Sequence, residues 1–589
     1  MLTFPIFLIL FVLLFLVSAL YLEWFRPTVT FFIAVLLLVL GGVLSPGEAL
    51  QGFANEQLAV IILLLIISDI FRKSSIINVI FNRFFGQKKT LKGFSTRMMV
   101  IVSVFSSFFN NTPIVAMMMP YVNKWGNANN ISPSKLLMPL SFATILGGSI
   151  TLIGTSTNLV VSGLAVDAGL QPLGIFDFTI VGLPMLVIGI LYLIFFGNKK
   201  LPDYTDHLQS LVSKPREYFI EAAVLEGSSL IEKTVEQAQL RNLKGLYLVE
   251  IIRDGHAVTP VGPEEILEEG DVLIFAGDTN SIDELSRAAM GLSFPKSWES
   301  LIEEKASINE VVISYNSGLI GKKVKDTNFR AKFDGAIVAI HRNGEKLRGK
   351  IGEVLLKAGD VLLVFSGSDF ITRTRTNQSF YILSTVDNKN VNVKKISFLF
   401  LSLISAILVS AATGFSLLIC LSVVLLFAVF MKVVPMNDIR KGLDVDLILL
   451  IVFGLALGKA MINSGAAMFV ADALLGLNSF LNPFLLLMLL FFVTNLMAAY
   501  ITNKAAVAIV FPISIAIAME LGLPLMPFIL IVAFGAAANF ITPIGYQTNL
   551  MVYGPGGYSF KDFMRIGMPL TIIYMLVSSL ILAYFYGMM

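Results

Sequence analysis

Two polar clusters interrupt long apolar stretches of this chain: Asn110-Asn111-Thr112-Pro113, set between the apolar runs 100–109 and 114–119, and Thr502-Asn503-Lys504. Neither arm around the first cluster comfortably spans a bilayer alone, and a backbone break at membrane depth is tolerated only where it faces a cavity. Each cluster therefore predicts the tip of a hairpin that enters the membrane and returns, the second from the opposite side. At such tips helix N-termini present N–H groups to an anion, while unwound carbonyls and Asn or Ser oxygens hold a hard cation such as sodium. Plain capping of a broken helix by Asn and Thr is the simpler alternative. Lys504 is the most informative residue, because an ammonium inside an apolar stretch costs about 3 kcal/mol or more without a counter-charge or a wet cavity. It fits an anion ligand, a fixed charge in place of a coupling cation, or a side chain that snorkels to the surface.

The segments Gly147-Gly148-Ser149-Ile150-Thr151 and Ala538-Asn539-Phe540-Ile541-Thr542-Pro543 put Gly or Pro inside apolar spans and supply a second wall. Such residues free backbone groups that a Thr hydroxyl or a substrate can satisfy. Thr155, Tyr546 and Gln547 fit a site wall and a structural kink equally well. Lys459, nearer the end of its span, is a weaker case that snorkelling would explain. Asp69, Asp444 and Asp446 lie near span ends, where a solvated structural role competes with an ion site. His207, His256 and His341 all fall in a charged central region, so no membrane histidine can relay protons. Cys420 has no partner, which excludes disulfides and cysteine metal sites. No hydrolase triad, phosphate-binding loop or metal cluster is evident, and the chain reads as a non-enzyme.

The elements that must position these residues are membrane helices. Of 589 residues 56% are hydrophobic and only 14% charged, and the mean hydropathy of +0.81 is more than a soluble core can hide. A net charge of +3 is too small to imply nucleic acid. Apolar stretches long enough to cross about 30 Å of hydrocarbon occur near 3–22, 28–44, 56–72, 137–165 and 177–197, and again near 396–411, 413–432, 446–463, 523–553 and 566–587. The first reads as a retained span rather than a signal peptide. Between the two sets, residues 198–395 alternate like soluble strands and helices. Arg72, Lys73, Arg83, Lys88, Lys89, Lys92 and Arg97 crowd one connection without an acidic residue, which makes that loop and the central insert cytoplasmic, with both chain ends outside.

Two repeats are legible. Asn110-Asn-Thr-Pro113 through Pro120 lies over Thr502-Asn-Lys-Ala505 through Pro512, Gly154-Thr-Ser-Thr-Asn-Leu159 over Gly545-Tyr-Gln-Thr-Asn-Leu550, and Asp177 through Pro184 over Asp562 through Pro569. An odd number of spans in each half makes the two halves inverted, an arrangement suited to alternating access. Inside the insert, Leu230, Val235, Gly245, Arg253 and Gly270-Asp-Val-Leu273 recur as Leu319, Val324, Gly335, Arg342 and Gly359-Asp-Val-Leu362, predicting two similar α/β domains with hairpin turns at Gly255 and Asn343-Gly344. The expected organisation is a membrane repeat at 1–200, α/β domains at 212–296 and 298–384, and a second membrane repeat at 395–589.

The paired tips, the Thr-Asn segments and above all Ile541-Thr-Pro-Ile-Gly-Tyr-Gln-Thr-Asn-Leu-Met-Val-Tyr-Gly-Pro-Gly-Gly557 resemble the divalent anion/sodium symporter family, and the insert resembles two RCK C-terminal (TrkA-C) domains. The combination is similar to that family's sulfate permeases. The resemblance implies a polytopic α-helical membrane protein, an elevator-type homodimer of two inverted repeats with re-entrant hairpins, in an inner cell membrane. It implies sodium at Ser106, Asn110, Asn111, Gly148, Thr502, Asn503 and Ala538, and substrate contacts from Asn111, Thr112, Thr151, Asn503, Lys504 and Thr542, with Ser149 and Asn539 completing the walls. The family's tips carry Ser-Asn-Thr. Asn110 and Lys504 depart from that pattern; the lysine puts the second sodium site in doubt and strengthens the case for an anion.

The expectation is a secondary transporter that imports a small oxyanion, sulfate first, coupled to sodium and regulated through the insert, on which a nucleotide or small ligand and a plain β-core are both open. A dicarboxylate is the nearest rival substrate, and proton coupling or exchange is the rival mechanism. A cation antiporter or gated channel should show a filter or an acidic pair in its spans, and neither is present. A nutrient sensor with vestigial transport is a third class.

Overall fold

The computed structural model describes residues 3–22, 24–73, 90–204, 393–431, 445–476 and 482–589 of the membrane part. In the insert it describes 219–240, 246–253, 256–258, 261–277, 292–293, 307–314, 317–342, 345–347, 351–366, 369–376 and 379–383. Arg83, Lys88, Lys89, His207, Gly245, Gly255, Asn343, Gly344, Asp444, the side chain of Asp69 and the boundary positions 212, 296, 298 and 384 lie outside the described residues.

The membrane part is helical throughout. In chain order the first half contains α1 (Phe4–Tyr21), α2 (Pro27–Leu40), α3 (Glu56–Lys73), α4 (Leu91–Ser106), α5 (Asn111–Ala128), α6 (Leu137–Gly148), α7 (Ser156–Asp167) and α8 (Thr179–Tyr192). The second half contains α9 (Val393–Thr413), α10 (Leu417–Phe430), α11 (Val445–Asn463), α12 (Ala466–Gly476), α13 (Pro483–Tyr500), α14 (Asn503–Glu520), α15 (Leu525–Ala537), α16 (Gln547–Tyr553) and α17 (Phe560–Phe585). Five helices among the described residues are long and apolar enough to cross a membrane, rising to seven if two pairs bent by 46° and 70° are each one span. Ten spans were expected; two of them divide at breaks, three correspond to helices too short to count, and two helices outside the expected set, α13 and α14, are long enough. The expected spans at 137–165 and 523–553 each divide in two, as α6 with α7 and α15 with α16. The helices Pro27–Leu40, Ser397–Thr413, Leu417–Phe430 and Leu525–Ala537 are apolar but short. The second hairpin also departs from expectation: α13 and α14 are each long enough to cross.

The breaks have local causes. Asn110 caps α5 by accepting from the Thr112 N–H, Thr155 caps α7 through the Thr157 N–H, and Thr502 caps α14 through the Ala505 N–H, each satisfying a donor that a new helix leaves bare. Between α11 and α12 the chain turns through Gly465 at φ +76°, a conformation glycine adopts without strain. One continuous apolar cluster joins both halves, with Phe31, Phe142, Phe178, Phe534, Phe540 and Tyr574 fully buried in it.

The insert forms two antiparallel five-stranded sheets. The first contains β1 (Phe219–Val224), β2 (Leu246–Arg253), β3 (His256–Val258), β4 (Val272–Gly277) and β5 (Leu292–Ser293), in the order β3-β2-β4-β1-β5. The second contains β6 (Ser307–Ile313), β7 (Gly335–Arg342), β8 (Glu345–Lys346), β9 (Val361–Ser366) and β10 (Phe380–Ile382), in the order β10-β6-β9-β7-β8. Matched strand by strand, the two orders are identical, and a register irregularity recurs between Leu248 and Glu250 and between Ile337 and Ala339. Arg253 grips the buried Asp271 at 2.8 and 2.9 Å, and Arg342 grips the buried Asp360 at 2.7 and 2.8 Å. The bidentate geometry ties the end of one central strand to the turn before the next. Arg330 joins the two domains, donating to the carbonyls of Val261 at 2.6 Å and Leu248 at 2.9 Å.

Candidate functional site

At the first tip α4 ends at Ser106 and α5 begins at Asn111. The Ser106 hydroxyl lies 2.7 Å from the Thr144 carbonyl and in a short contact with Asn111 Oδ1. One proton faces two acceptors, so three oxygens converge on a fully buried point. Such a set suits a small monovalent cation, with Asn111, Ser106 and the Thr144 carbonyl as ligands. Gly148 backs this point: a Cβ there would sit 2.6 Å from Asn111 Oδ1. Asn110 instead serves as the cap of α5 and lines a shallow, mostly apolar cleft with Ile61, Phe108, Ile153 and Ser156.

The first tip is held from across the molecule. Asn111 Nδ2 donates to the Tyr546 hydroxyl at 2.7 Å, and the Thr112 hydroxyl donates to Gln547 Oε1 at 2.9 Å. The Tyr546 hydroxyl also lies 3.3 Å from Thr155 Oγ1. The start of α16 in the second half therefore closes on the tip of the first. Neither Tyr546 nor Gln547 stood among the expected ligands. The available signal was the substitution of Thr155-Ser156 by Tyr546-Gln547 within otherwise matching Gly-x-x-Thr-Asn segments.

The two breaks are stitched to their tips by the same bonds. The Thr151 hydroxyl donates to the Ser107 carbonyl, and the Thr542 hydroxyl donates to the Ala499 carbonyl at 3.3 Å. Asn158 Nδ2 reaches the Thr151 carbonyl at 2.9 Å, and Asn549 Nδ2 reaches the Thr542 carbonyl at 3.2 Å. Thr151 and Thr542 thus shape the breaks. The Ser149 hydroxyl accepts from Tyr574 at 3.0 Å.

The chemistry of the two tips differs at two matched positions. Ala498 stands where the first half has Ser106, and Asn539 stands where it has Gly148. Asn503 Oδ1 and both polar atoms of Asn539 are buried with no hydrogen-bond partner, among the described residues. An orphaned buried amide costs about 1–3 kcal/mol, so these atoms are where an ion or water would stabilise the second tip. The Ala538 carbonyl accepts from Asn495 Nδ2 at 2.9 Å. Lys504 is half-buried in the first turn of α14, next to the cap Thr502. Lys459 belongs elsewhere: it bonds Gln51 Oε1 and lies 4.0 Å from Glu48, in a polar cluster at its helix end.

Across the residues of both tips and both breaks, 106–112, 147–158, 499–506 and 537–549, there is no Asp, Glu or His. Lys504 is the sole charged side chain of these segments, which suits an anion. The insert meets this region from the other end of α16. A Cβ on Gly554 would lie 2.4 Å from the Gly359 carbonyl, and Val312, Val361 and Leu383 belong to the same apolar cluster as the membrane helices.

Comparison with known proteins agrees with a transporter. The family model described as "CitMHS: Citrate transporter" matches residues 12–421 and 398–588. The chain is 34% identical over 96% of its length to the uncharacterized transporter sll0640 of Synechocystis, covering 95% of that protein. It is 32% identical over 93% of its length to a Chlamydomonas reinhardtii protein named "Putative sulfur deprivation response regulator", covering 96% of it. Sodium/sulfate cotransporter 2 of Chlamydomonas reinhardtii is 22% identical over 95% of the chain and 87% of its own length. With its several apolar helices and a family match across nearly its whole length, the chain is a multi-pass membrane protein that belongs to the citrate transporter (CitMHS) family.

Proposed function

We propose that the chain imports a small inorganic oxyanion, sulfate above all, by sodium-coupled symport. The carrying observation is the pair of unequal tips. The first offers the oxygens of Ser106, Asn111 and Thr144 to sodium, the second places Lys504 in the first turn of a helix as the one charged side chain of the tip and break segments, which carry no Asp, Glu or His. A tetrahedral dianion suits one ammonium supplemented by amide and hydroxyl donors. The sodium/sulfate cotransporter among the relatives supports the same substrate and coupling ion. In this reading the two halves are inverted repeats, and the tips with their broken helices move as an elevator against the remaining helices, in a homodimer of an inner membrane.

The insert, read as two cytoplasmic TrkA-C-like domains, regulates transport. Support comes from α16, whose first residue bonds Thr112 and whose far end rests on Gly359 and Val361 of the second domain. Displacement of that domain is felt at the tip, whether or not a nucleotide or other small ligand drives it.

Uptake of labelled sulfate into proteoliposomes, with and without a sodium gradient and with citrate as competitor, tests the proposal. Sodium-stimulated accumulation that Lys504→Thr reduces at least about tenfold is expected, from loss of a charge-assisted contact. Accumulation of citrate in place of sulfate would overturn the substrate assignment. The regulator named among the relatives favours one second reading, a sensor; saturable sulfate binding without uptake would select it.

A further inference from the structure

We infer that Asn55 is a latch that holds the moving helices against the fixed ones in the conformation of this structure, and that it must open in each transport cycle. The inference rests on the elevator part of the proposed function and names a residue that controls it. In that reading α7, the helix after the first break, belongs to the moving set, and α3 and α11 belong to the fixed set.

Asn55 sits immediately before α3 and uses both ends of its carboxamide. Its Oδ1 accepts from the Gln57 N–H at 2.9 Å, which caps the start of α3. Its Nδ2 donates across the boundary, to Asp167 Oδ1 at 3.0 Å and to the Gly163 carbonyl at 3.3 Å, both on α7. Asn55 is only 9% exposed, so its NH2 group has little water to turn to. Asp167 is the last residue of α7, where a carboxylate opposes the helix dipole. A partner across the boundary explains an acid at that position, and Lys459 of α11 lies within electrostatic reach of the same carboxylate.

Neighbouring contacts across this boundary are apolar. Leu164 fills the notch left by Gly458 of α11, where a Cβ would sit 2.8 Å from Leu164 Cδ2. The Phe109 ring, beside the first tip, lies 5.2 Å from that of Phe71 on α3 and 5.8 Å from that of Phe400 on α9, centre to centre. Apolar contact is non-directional, so one such surface slides over another at little cost. A directed bond from a buried amide must break outright, and leaving that amide unpaired weighs on the order of tenfold or more on the equilibrium between states. The exposed Asp167 finds water on opening, so the penalty falls on Asn55. Counting on from the matched Asn158 and Asn549, the second half has Tyr558 where the first has Asp167, and Tyr558 bonds the Ser134 carbonyl and the Met138 N–H instead. The latch therefore has no counterpart at that matched position.

Two substitutions separate the latch from the cap. Asn55→Asp keeps an oxygen for the Gln57 N–H but sets two carboxylates against each other; adding Asp167→Asn restores one donor and one acceptor with their direction reversed. The state is read in the full-length protein in lipid bilayers, on a Cys420→Ser background, from the distance between spin labels at Ala54→Cys and Gln171→Cys, both exposed positions. With Asn55 in place one distance should dominate. Asn55→Asp should raise the share of other distances on the order of tenfold, and the reversed pair should remove most of that rise. A distribution that Asn55→Asp leaves unchanged would overturn the latch. A rise that the reversed pair leaves in full would overturn it too, because a purely local defect at the start of α3 predicts that result. The elevator reading has its own arm, since the distance measurement needs no uptake. A short bis-methanethiosulfonate reagent joining Asn55→Cys to Asp167→Cys should stop sulfate uptake until the link is reduced, and undiminished uptake by the cross-linked protein would sink that reading instead.

Discussion

Ser106 has one hydroxyl proton and two oxygens to give it to, Asn111 Oδ1 and the Thr144 carbonyl. In the sodium-coupled reading proposed above, a cation at this point would remove the conflict by taking all three oxygens as ligands. Ser106→Ala should therefore weaken sodium activation of uptake on the order of tenfold while leaving the Thr112 and Gln547 contact in place; a sodium titration of the uptake rate reads this directly. Gly148→Ala acts by a different route. Its Cβ would fall 2.6 Å from Asn111 Oδ1, and overpacking of this kind costs about 1–3 kcal/mol. The variant should lose sodium dependence and some thermal stability together, whereas Ser106→Ala loses chiefly the first. Ala498 and Asn539 show why the second tip has different chemistry. The hydroxyl is missing and a side chain has been added, so the matched segments do not carry the same polar groups.

Among the elements, the clearest repeated device is the Arg-Asp clasp of the insert. Arg342→Leu strips the bidentate partner from Asp360, whose side chain is 1% exposed, and breaking such a buried pair costs about 3–5 kcal/mol. Hydrogen exchange of β9 in the full-length protein should rise accordingly, and adding Asp360→Asn should recover much of the loss. A second expectation concerns pH. Hydrogen bonds from Lys323 and Lys325 hold the Glu353 carboxyl down at about 2, from an ordinary value of 4.5. A carboxyl depressed by folding stabilises the fold above its unfolded value and ceases to do so as pH falls through the folded one. Glu353→Gln should therefore flatten the acid dependence of insert stability between about pH 4.5 and about 2, by a small amount at this exposed site. Elsewhere the breaks dominate: caps at Asn110 and Thr502 start new helices at the polar clusters, and the cap at Thr155 starts one inside what hydropathy alone presents as a continuous span at 137–165.

At the scale of the whole molecule, seven residues of α16 join the first tip to the second insert domain. Gly554→Val would drive a side chain into the Gly359 carbonyl and Val361. Separation of the domain from the helix end should raise hydrogen exchange around 359–366 and change the uptake rate without changing the rank order of competing anions. Much of this organisation was legible in the chain itself. Apolar length and charge identified a multi-pass membrane protein; the polar clusters at Asn110 and Thr502 fall on the caps of α5 and α14; and the two copies of Gly-Asp-Val-Leu fall at the starts of the matching strands β4 and β9. These features are local, or repeat at fixed intervals, so pattern alone carries them. What touches what across 435 residues is not local. That Tyr546 and Gln547 close on Asn111 and Thr112, that Asn110 caps a helix while Asn111 reaches Ser106 and Tyr546, and that Gly359 seats against Gly554 depend on how separated helices pack, and only the tertiary structure decides the direction in which each buried donor and acceptor is finally spent.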